Sequence, residues 1–224
     1  MSKFKNYNSV EYQVLKEVFK KIPMMDPYIA NIVEEYIYDT VREYYPEDIY
    51  LRREYRTKYG IKDGEYKSWH KNGQLMVQTQ YIDGKTHGDY KKWDKNGKLV
   101  LQATYVEDKA HGETKEWYKN GKIFAQVLYL DDKKHGEFKV WHKNGKLCLQ
   151  TTYVDDKKHG EYKKWHKNGK PWIQASYIYG KLNGEYRDFL PSGYLVYYGT
   201  FINGVSVKNK KDVKEEVIIR FIED

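Results

Sequence analysis

The 224-residue sequence predicts a mainly β protein: an elongated, single-sheet antiparallel β-hairpin solenoid with a small helical segment at its N-terminus. Three observations carry the prediction. Gly64, Gly88, Gly112, Gly136, Gly160 and Gly184 stand 24 residues apart, and a second glycine series from Gly73 to Gly193 follows nine residues behind. Aromatic residues fall between them in register, with Trp69, Trp93, Trp117, Trp141 and Trp165 at one position and Tyr81, Tyr105, Tyr129, Tyr153 and Tyr177 at another. Each unit also carries a turn signal such as His142-Lys143-Asn144-Gly145 between two β-prone segments. A fixed period of this length is the signature of a repeat array, in which each unit is one supersecondary element.

Within a unit, Gly136–Trp141 reads as an outgoing strand and Lys146–Val154, rich in apolar and β-branched residues, as its return. Asn-Gly between them predicts a type I′ hairpin turn, which needs positive φ at both central residues. A second turn follows at Asp155-Asp156, leading to His159-Gly160. Six units give a meander of about twelve strands, advancing ~10 Å per repeat. On the return strand, alternation places Leu147, Leu149, Thr151 and Tyr153 on one face and Cys148, Gln150, Thr152 and Val154 on the other. The outgoing aromatic and the Trp three residues later have opposite parity, which a bulge or an early exit of the Trp from the strand would reconcile.

The Gly-x-aromatic opening, the Asn-Gly-Lys turn and the pairs His87-Gly88, His111-Gly112, His135-Gly136 and His159-Gly160 resemble MORN repeats. They are most similar to the variant in YwqK-type antitoxin proteins and in proteins of large DNA viruses. The resemblance covers about 155 residues. It implies an elongated twisted sheet used for binding, with no shared reaction.

The organisation expected is a helical cap or F-box-like segment over 1–50, a repeat sheet over 51–206 with six full repeats from 64, and a C-terminal cap over 207–224. Residues 9–21 read as one helix, and Asp26-Pro27 opens a second running to about Tyr45, with Ile29, Ile32, Val33, Tyr36, Ile37, Thr40, Val41 and Tyr44 on one stripe. Ile22-Pro23 with Ile32-Val33 and Tyr36-Ile37 resembles an F-box, although the spacing of the apolar pairs is one residue longer than the usual pattern.

Charge separates the segments. Residues 1–50 hold six basic and nine acidic residues out of totals of 40 and 32, which leaves 34 against 23 in residues 51–224. Around the Asn-Gly tips lie Lys71, Lys95, Lys98, Lys119, Lys122, Lys143, Lys146, Lys167 and Lys170. In a regular meander they line one long edge with about two charges per ~10 Å, inside one Debye length. This basic edge is the candidate binding surface, for a protein partner first and an anionic membrane second. Scarcity of Arg in the repeats argues against sequence-specific nucleic acid readout. The five tryptophans form a candidate aromatic platform, read more simply as core. The glutamines at 78, 102, 126, 150 and 174 suggest a hydrogen-bonded ladder.

No catalytic constellation stands out. The histidine ladder, at ~10 Å per step, is too coarse for one metal ion, whose ligand atoms lie within ~3.5 Å of each other. Cys148 aligns with Met76, Val100, Phe124, Trp172 and Val196, which marks a packing position. The acids that follow the first glycine of each unit, Glu65, Asp89, Glu113, Glu137, Glu161 and Glu185, recur too evenly for a single catalytic acid. A non-catalytic scaffold without cofactor is therefore expected. The rival expectations are an F-box-like ubiquitin-ligase adaptor, an antitoxin-type neutraliser and a peripheral membrane module. The single cysteine and the absence of a signal-like apolar start predict an intracellular, cytoplasmic protein, in host cytoplasm if the source is viral.

Overall fold

The computed structural model describes residues 38–46 and 49–210. They form one antiparallel sheet of sixteen strands in chain order, the two pieces of one interrupted strand both pairing with the strand before them. The first hairpin is β1 (Tyr38–Tyr44) and β2 (Leu51–Lys58). Six repeat hairpins follow: β3 (Ile61–Trp69) with β4 (Leu75–Ile82), then β5 (Lys85–Trp93) with β6 (Leu99–Val106). The third has its outgoing strand split into β7 (Lys109–Ala110) and β8 (Gly112–Trp117), returning as β9 (Ile123–Leu130). Then come β10 (Lys133–Trp141) with β11 (Leu147–Val154), β12 (Lys157–Trp165) with β13 (Pro171–Ile178), and β14 (Lys181–Phe189) with β15 (Leu195–Ile202). A last strand, β16 (Val205–Lys210), pairs with β15.

The expected second helix fails over its last eight residues. Tyr38–Tyr44 is a strand, paired with β2 from Tyr38↔Lys58 onward. Its Thr40-Val41 pair and flanking tyrosines suit a pleated surface, and the edge of β2 supplies the backbone partners that local periodicity cannot anticipate. The boundaries drawn at 50/51 and 206/207 thus fall inside a hairpin and inside β16. Residues 9–21, the F-box-like pairs up to Ile37 and the chain beyond Lys210 lie outside the described residues.

The two turn families exchange the roles expected of them. At the Asn-Gly tips only the glycine has positive φ, for example 92° at Gly145. Gly145 N–H donates to His142 O at 2.8 Å and His142 N–H to Lys146 O at 2.9 Å. This is a type I turn closed by a left-handed glycine. The asparagine stays right-handed because its side chain has other work: Asn144 Oδ1 accepts from Lys146 N–H at 3.0 Å. Paired positive φ occurs at the opposite edge, at Asp83-Gly84 and also at Asp131-Asp132 (49° and 67°) and Asp155-Asp156 (47° and 64°). The His-Gly pairs are not in a turn. They sit inside the outgoing strand, where the register slips between Lys134 and Phe138, except that His111 falls in the break between β7 and β8.

A bulge also settles the parity of the tryptophans. Val140 pairs with Leu149 but Trp141 with Leu147, so Cys148 is the extra residue on the return strand. One sheet face then carries the packing. Thr79, Ala103, Val127, Thr151 and Ala175 are buried along its midline. Edge-to-face rings flank them: Tyr66–Tyr81, Tyr90–Tyr105, Phe138–Tyr153 and Tyr162–Tyr177, with centroids 5.4–5.7 Å apart. Such pairs add ~0.5–1.5 kcal/mol each beyond their buried area. Thr114 takes the ring position in the third repeat, where the strand is also interrupted.

Candidate functional site

The tip edge is built by three side chains that each reach forward to the next tip. The ring after the Trp donates first: His70 Nε2 to Trp93 O at 3.0 Å, His142 Nε2 to Trp165 O at 3.0 Å and His166 Nε2 to Phe189 O at 2.7 Å, each contact requiring the proton on Nε2. Tyr118 does the same toward Trp141 O at 2.7 Å, and Tyr45 of the first hairpin toward Trp69 O at 2.8 Å. The asparagine donates second, as Asn144 Nδ2 does to Lys167 O at 2.8 Å. The lysine after the glycine donates third: Lys98 to Lys119 O, Lys122 to Asn144 O, Lys146 to Asn168 O and Lys170 to Ser192 O.

This divides the nine candidate lysines. Lys98, Lys122, Lys146 and Lys170 are clamps that satisfy backbone carbonyls. Lys95, Lys119, Lys143 and Lys167, at the turn crest, are exposed, and among the described residues their ammonium groups have no hydrogen bond or ion pair. They form a column with a step of ~10 Å. Lys71, also exposed, occupies the same crest position in the first tip. Trp69, Trp93, Trp117, Trp141 and Trp165 are half-buried at the base of the tips, and four of them (all but Trp117) present their carbonyls to the clamps.

The face opposite the rings carries a row of acids, bases and amides. The glutamines do not bond to one another, as a ladder would require; three of the five reach the acid of their own hairpin, Gln78 to Glu65 at 2.8 Å, Gln126 to Glu113, and Gln150 to Glu137 at 2.9 Å. A lysine two residues on completes the group, at 2.7 Å for Lys67–Glu65 and 2.8 Å for Lys139–Glu137. The ammonium hydrogen bond holds the carboxyls of Glu65, Glu113 and Glu137 below their ordinary range. The sequence shows the acids and the glutamines but not that they pair, because Gln150 stands directly opposite Lys139 and reaches Glu137 on the diagonal, a register the period does not reveal.

The remaining residue series serve the frame. His111 Nδ1 lies 3.3 Å from Asp131 Oδ1, and His159 packs edge-on against Tyr179 at 4.9 Å. Burial pushes the Cys148 thiol up and the Tyr162 hydroxyl up to about 12. Burial, and then Lys164, lower the Lys158 ammonium, which lies 4.5 Å from the Tyr162 ring centroid. Among the described residues no three His, Cys, Asp or Glu side chains gather in a group able to hold a metal ion. No helix there is long and apolar enough to cross a membrane.

A single sheet of hairpins stitched tip to tip defines a repeat scaffold. The chain belongs to the MORN repeat family: residues 62–83, 86–107, 110–131, 134–155 and 158–179 match the MORN repeat variant. No curated protein matches the chain. Among solved structures, the crystal structure of TarM is 13% identical, over 68% of this chain and 27% of that one, with a TM-score of 0.29. A glycine-to-arginine mutant of TarM from S. aureus, in complex with fondaparinux, alpha-GlcNAc-glycerol and UDP, is 11% identical over the same shares with the same score. This chain spans about a quarter of their length, and a likeness at that score bears on neither fold nor activity.

Proposed function

We propose that this chain is a non-catalytic scaffold that holds an acidic protein partner along its tip edge. The unpaired crest lysines carry the reading. Four of the nine tip lysines are used internally, whereas Lys95, Lys119, Lys143 and Lys167 point a regular column of charge at solvent. Repetition of equivalent groups suits binding of an extended surface, since charges in register along one edge add their fields.

The test is binding of fluorescent poly-L-glutamate to the full chain. Changing the four crest lysines to Gln should weaken it by at least about ten-fold at low salt and flatten its salt dependence. The melting temperature should stay where it was, because no described hydrogen bond is lost. Unchanged affinity in that variant removes the tip edge as the binding surface. Changing Lys98, Lys122, Lys146 and Lys170 instead should lower the melting temperature.

A further inference from the structure

The margin of the sheet furthest from the tips bears a second regular feature. Ile82, Val106, Leu130, Val154, Ile178 and Ile202 each stand immediately before a positive-φ turn, on the face of the Glu–Lys–Gln rows. Five of the six are 37–55% exposed, which is unusual for aliphatic side chains recurring in register. Across each of the first five turns the direct cross-strand partner is a lysine, as in Val106↔Lys109, Leu130↔Lys133, Val154↔Lys157 and Ile178↔Lys181. Direct partners share a face, so the margin alternates aliphatic and ammonium groups.

Four of these lysines are uncovered. Lys109, Lys133, Lys157 and Lys181 make no hydrogen bond or ion pair among the described residues, whereas Lys85 meets Glu107 at 3.3 Å and Lys139 and its equivalents in the middle of the face are paired. The nearby turn acids are committed elsewhere. Asp108, Asp132 and Asp156 accept from the backbone N–H groups of Thr86, Ala110 and Lys134, and Asp131 faces His111. The third repeat adds a second exposed aliphatic, Leu128, held over Gly136 of the next hairpin.

We propose that this margin is a docking rail for an amphipathic helix of a partner protein, with aliphatic residues every seventh position and carboxylates beside them. The pitch selects the occupant. Two strand spacings give ~9.6 Å per rail step, and seven residues of α-helix rise ~10.5 Å. A helix laid across the strands therefore stays in register for three or four steps, centred on Leu130. An extended strand would match only by coincidence, since two of its residues rise ~6.8 Å. The lysines complement the flanking carboxylates. The inference rests on the scaffold reading above but uses the opposite margin of the sheet.

The test uses two synthetic acidic helical peptides of equal composition, one with Leu at every seventh position and one with Leu at every fifth. Fluorescence anisotropy with the full chain should show the seven-residue peptide binding at least about ten-fold tighter. Val106→Ser with Leu130→Ser should abolish that preference, with the melting curve confirming the fold. Lys109→Glu, Lys133→Glu and Lys157→Glu together should transfer binding to a peptide whose Glu residues are replaced by Lys. Equal binding of both spacings, or indifference to the rail variants, overturns the proposal. Rail-dependent binding of phosphatidylserine vesicles that displaces the peptide overturns it in favour of a lipid surface. If the peptides fail while the crest variant still loses poly-L-glutamate, the rail alone falls; if both fail, so does the scaffold reading.

Discussion

The junction between the second and third repeats differs from the one between the fourth and fifth, although the two lie only 48 residues apart in the same repeat pattern. At the later junction His142, Asn144 and Lys146 all reach the next tip, and β11 pairs with β12 at six positions. At the earlier one Asp94 replaces the ring, so that clamp is missing, and the Asn96 side chain makes no hydrogen bond. Only Lys98 crosses. β6 pairs with β8 at two positions and with the two-residue β7 at two more, four against six. Asp94 turns inward instead, accepting from Asn96 N–H at 2.8 Å and Lys98 N–H at 3.0 Å. A repeat array is as strong as its nearest-neighbour contacts, so one side-chain change at a tip weakens a joint without disturbing the turn itself.

The sound joints should break hardest at a glycine. Gly136 has φ of 88°, and a Cβ there would meet Leu128 Cδ2 at 2.9 Å. Gly136→Ala should cost about 3 kcal/mol, against about 1 kcal/mol for Gly160→Ala, where φ is also positive but nothing lies within 4 Å. Urea melts of the two variants give the difference, and equal losses would show that Leu128 simply moves aside. Next comes the asparagine pair. Asn144→Ala removes two hydrogen bonds and should cost ~1–2 kcal/mol, whereas Asn96→Ala should cost almost nothing. Mending the weak joint gives a smaller effect: Asp94→His should restore the forward clamp for a net gain of ~0.5 kcal/mol. Native-state hydrogen exchange should then slow at Leu101 and Gln102, which in the parent should exchange ahead of Leu149 and Gln150.

The smallest effect is that of pH. The folded-state carboxyls of Glu65, Glu113 and Glu137 are lowered, chiefly by the lysine hydrogen bond. Their contribution is present above the ordinary carboxylate range near ~4 and is lost as pH falls through the lowered folded value. Lys139→Met should lower the melting temperature slightly at pH 7 and leave it level with the parent once those carboxyls are protonated. A gap that persists in strong acid would mean that the Lys139 stem, rather than its charge, supports the row.

Much of this architecture is written in the sequence, because a 24-residue period leaves few ways to pair strands. The second glycine series locates the tip turns, and the ring and small-residue positions fix the packed face. What the sequence withheld depends on contacts between repeats. Asn144-Gly145 is compatible with two turn types, and the choice is made by where the Asn144 amide can reach on the following tip. Asp155-Asp156 looks like a plain charged loop, yet Asp156 tolerates its positive φ while its carboxylate accepts the Lys134 N–H at 2.9 Å. Tyr38–Tyr44 fits a helical stripe until the edge of β2 is beside it. The nine tip lysines look alike in the sequence, and only the clamp geometry separates those spent on backbone carbonyls from those left exposed at the crest.

Every clamp on the tip edge points the same way along the chain. Hooks leave each tip toward the C-terminus and find eyes on the next, never the reverse, so the sheet has a chemical direction as well as a length. The sixth tip, Leu190-Pro191-Ser192-Gly193, has lost the ring and the amide but keeps the carbonyls that receive Asn168 and Lys170. It is an eye without a hook, which is what the tail of a directed row requires. A 24-residue cassette inserted or removed between Gly64 and Gly184 carries one hook and one eye together, leaving the neighbours able to re-engage. Copy number therefore sets the length of the sheet in steps of ~10 Å, each added unit joined by the same one-way clamps.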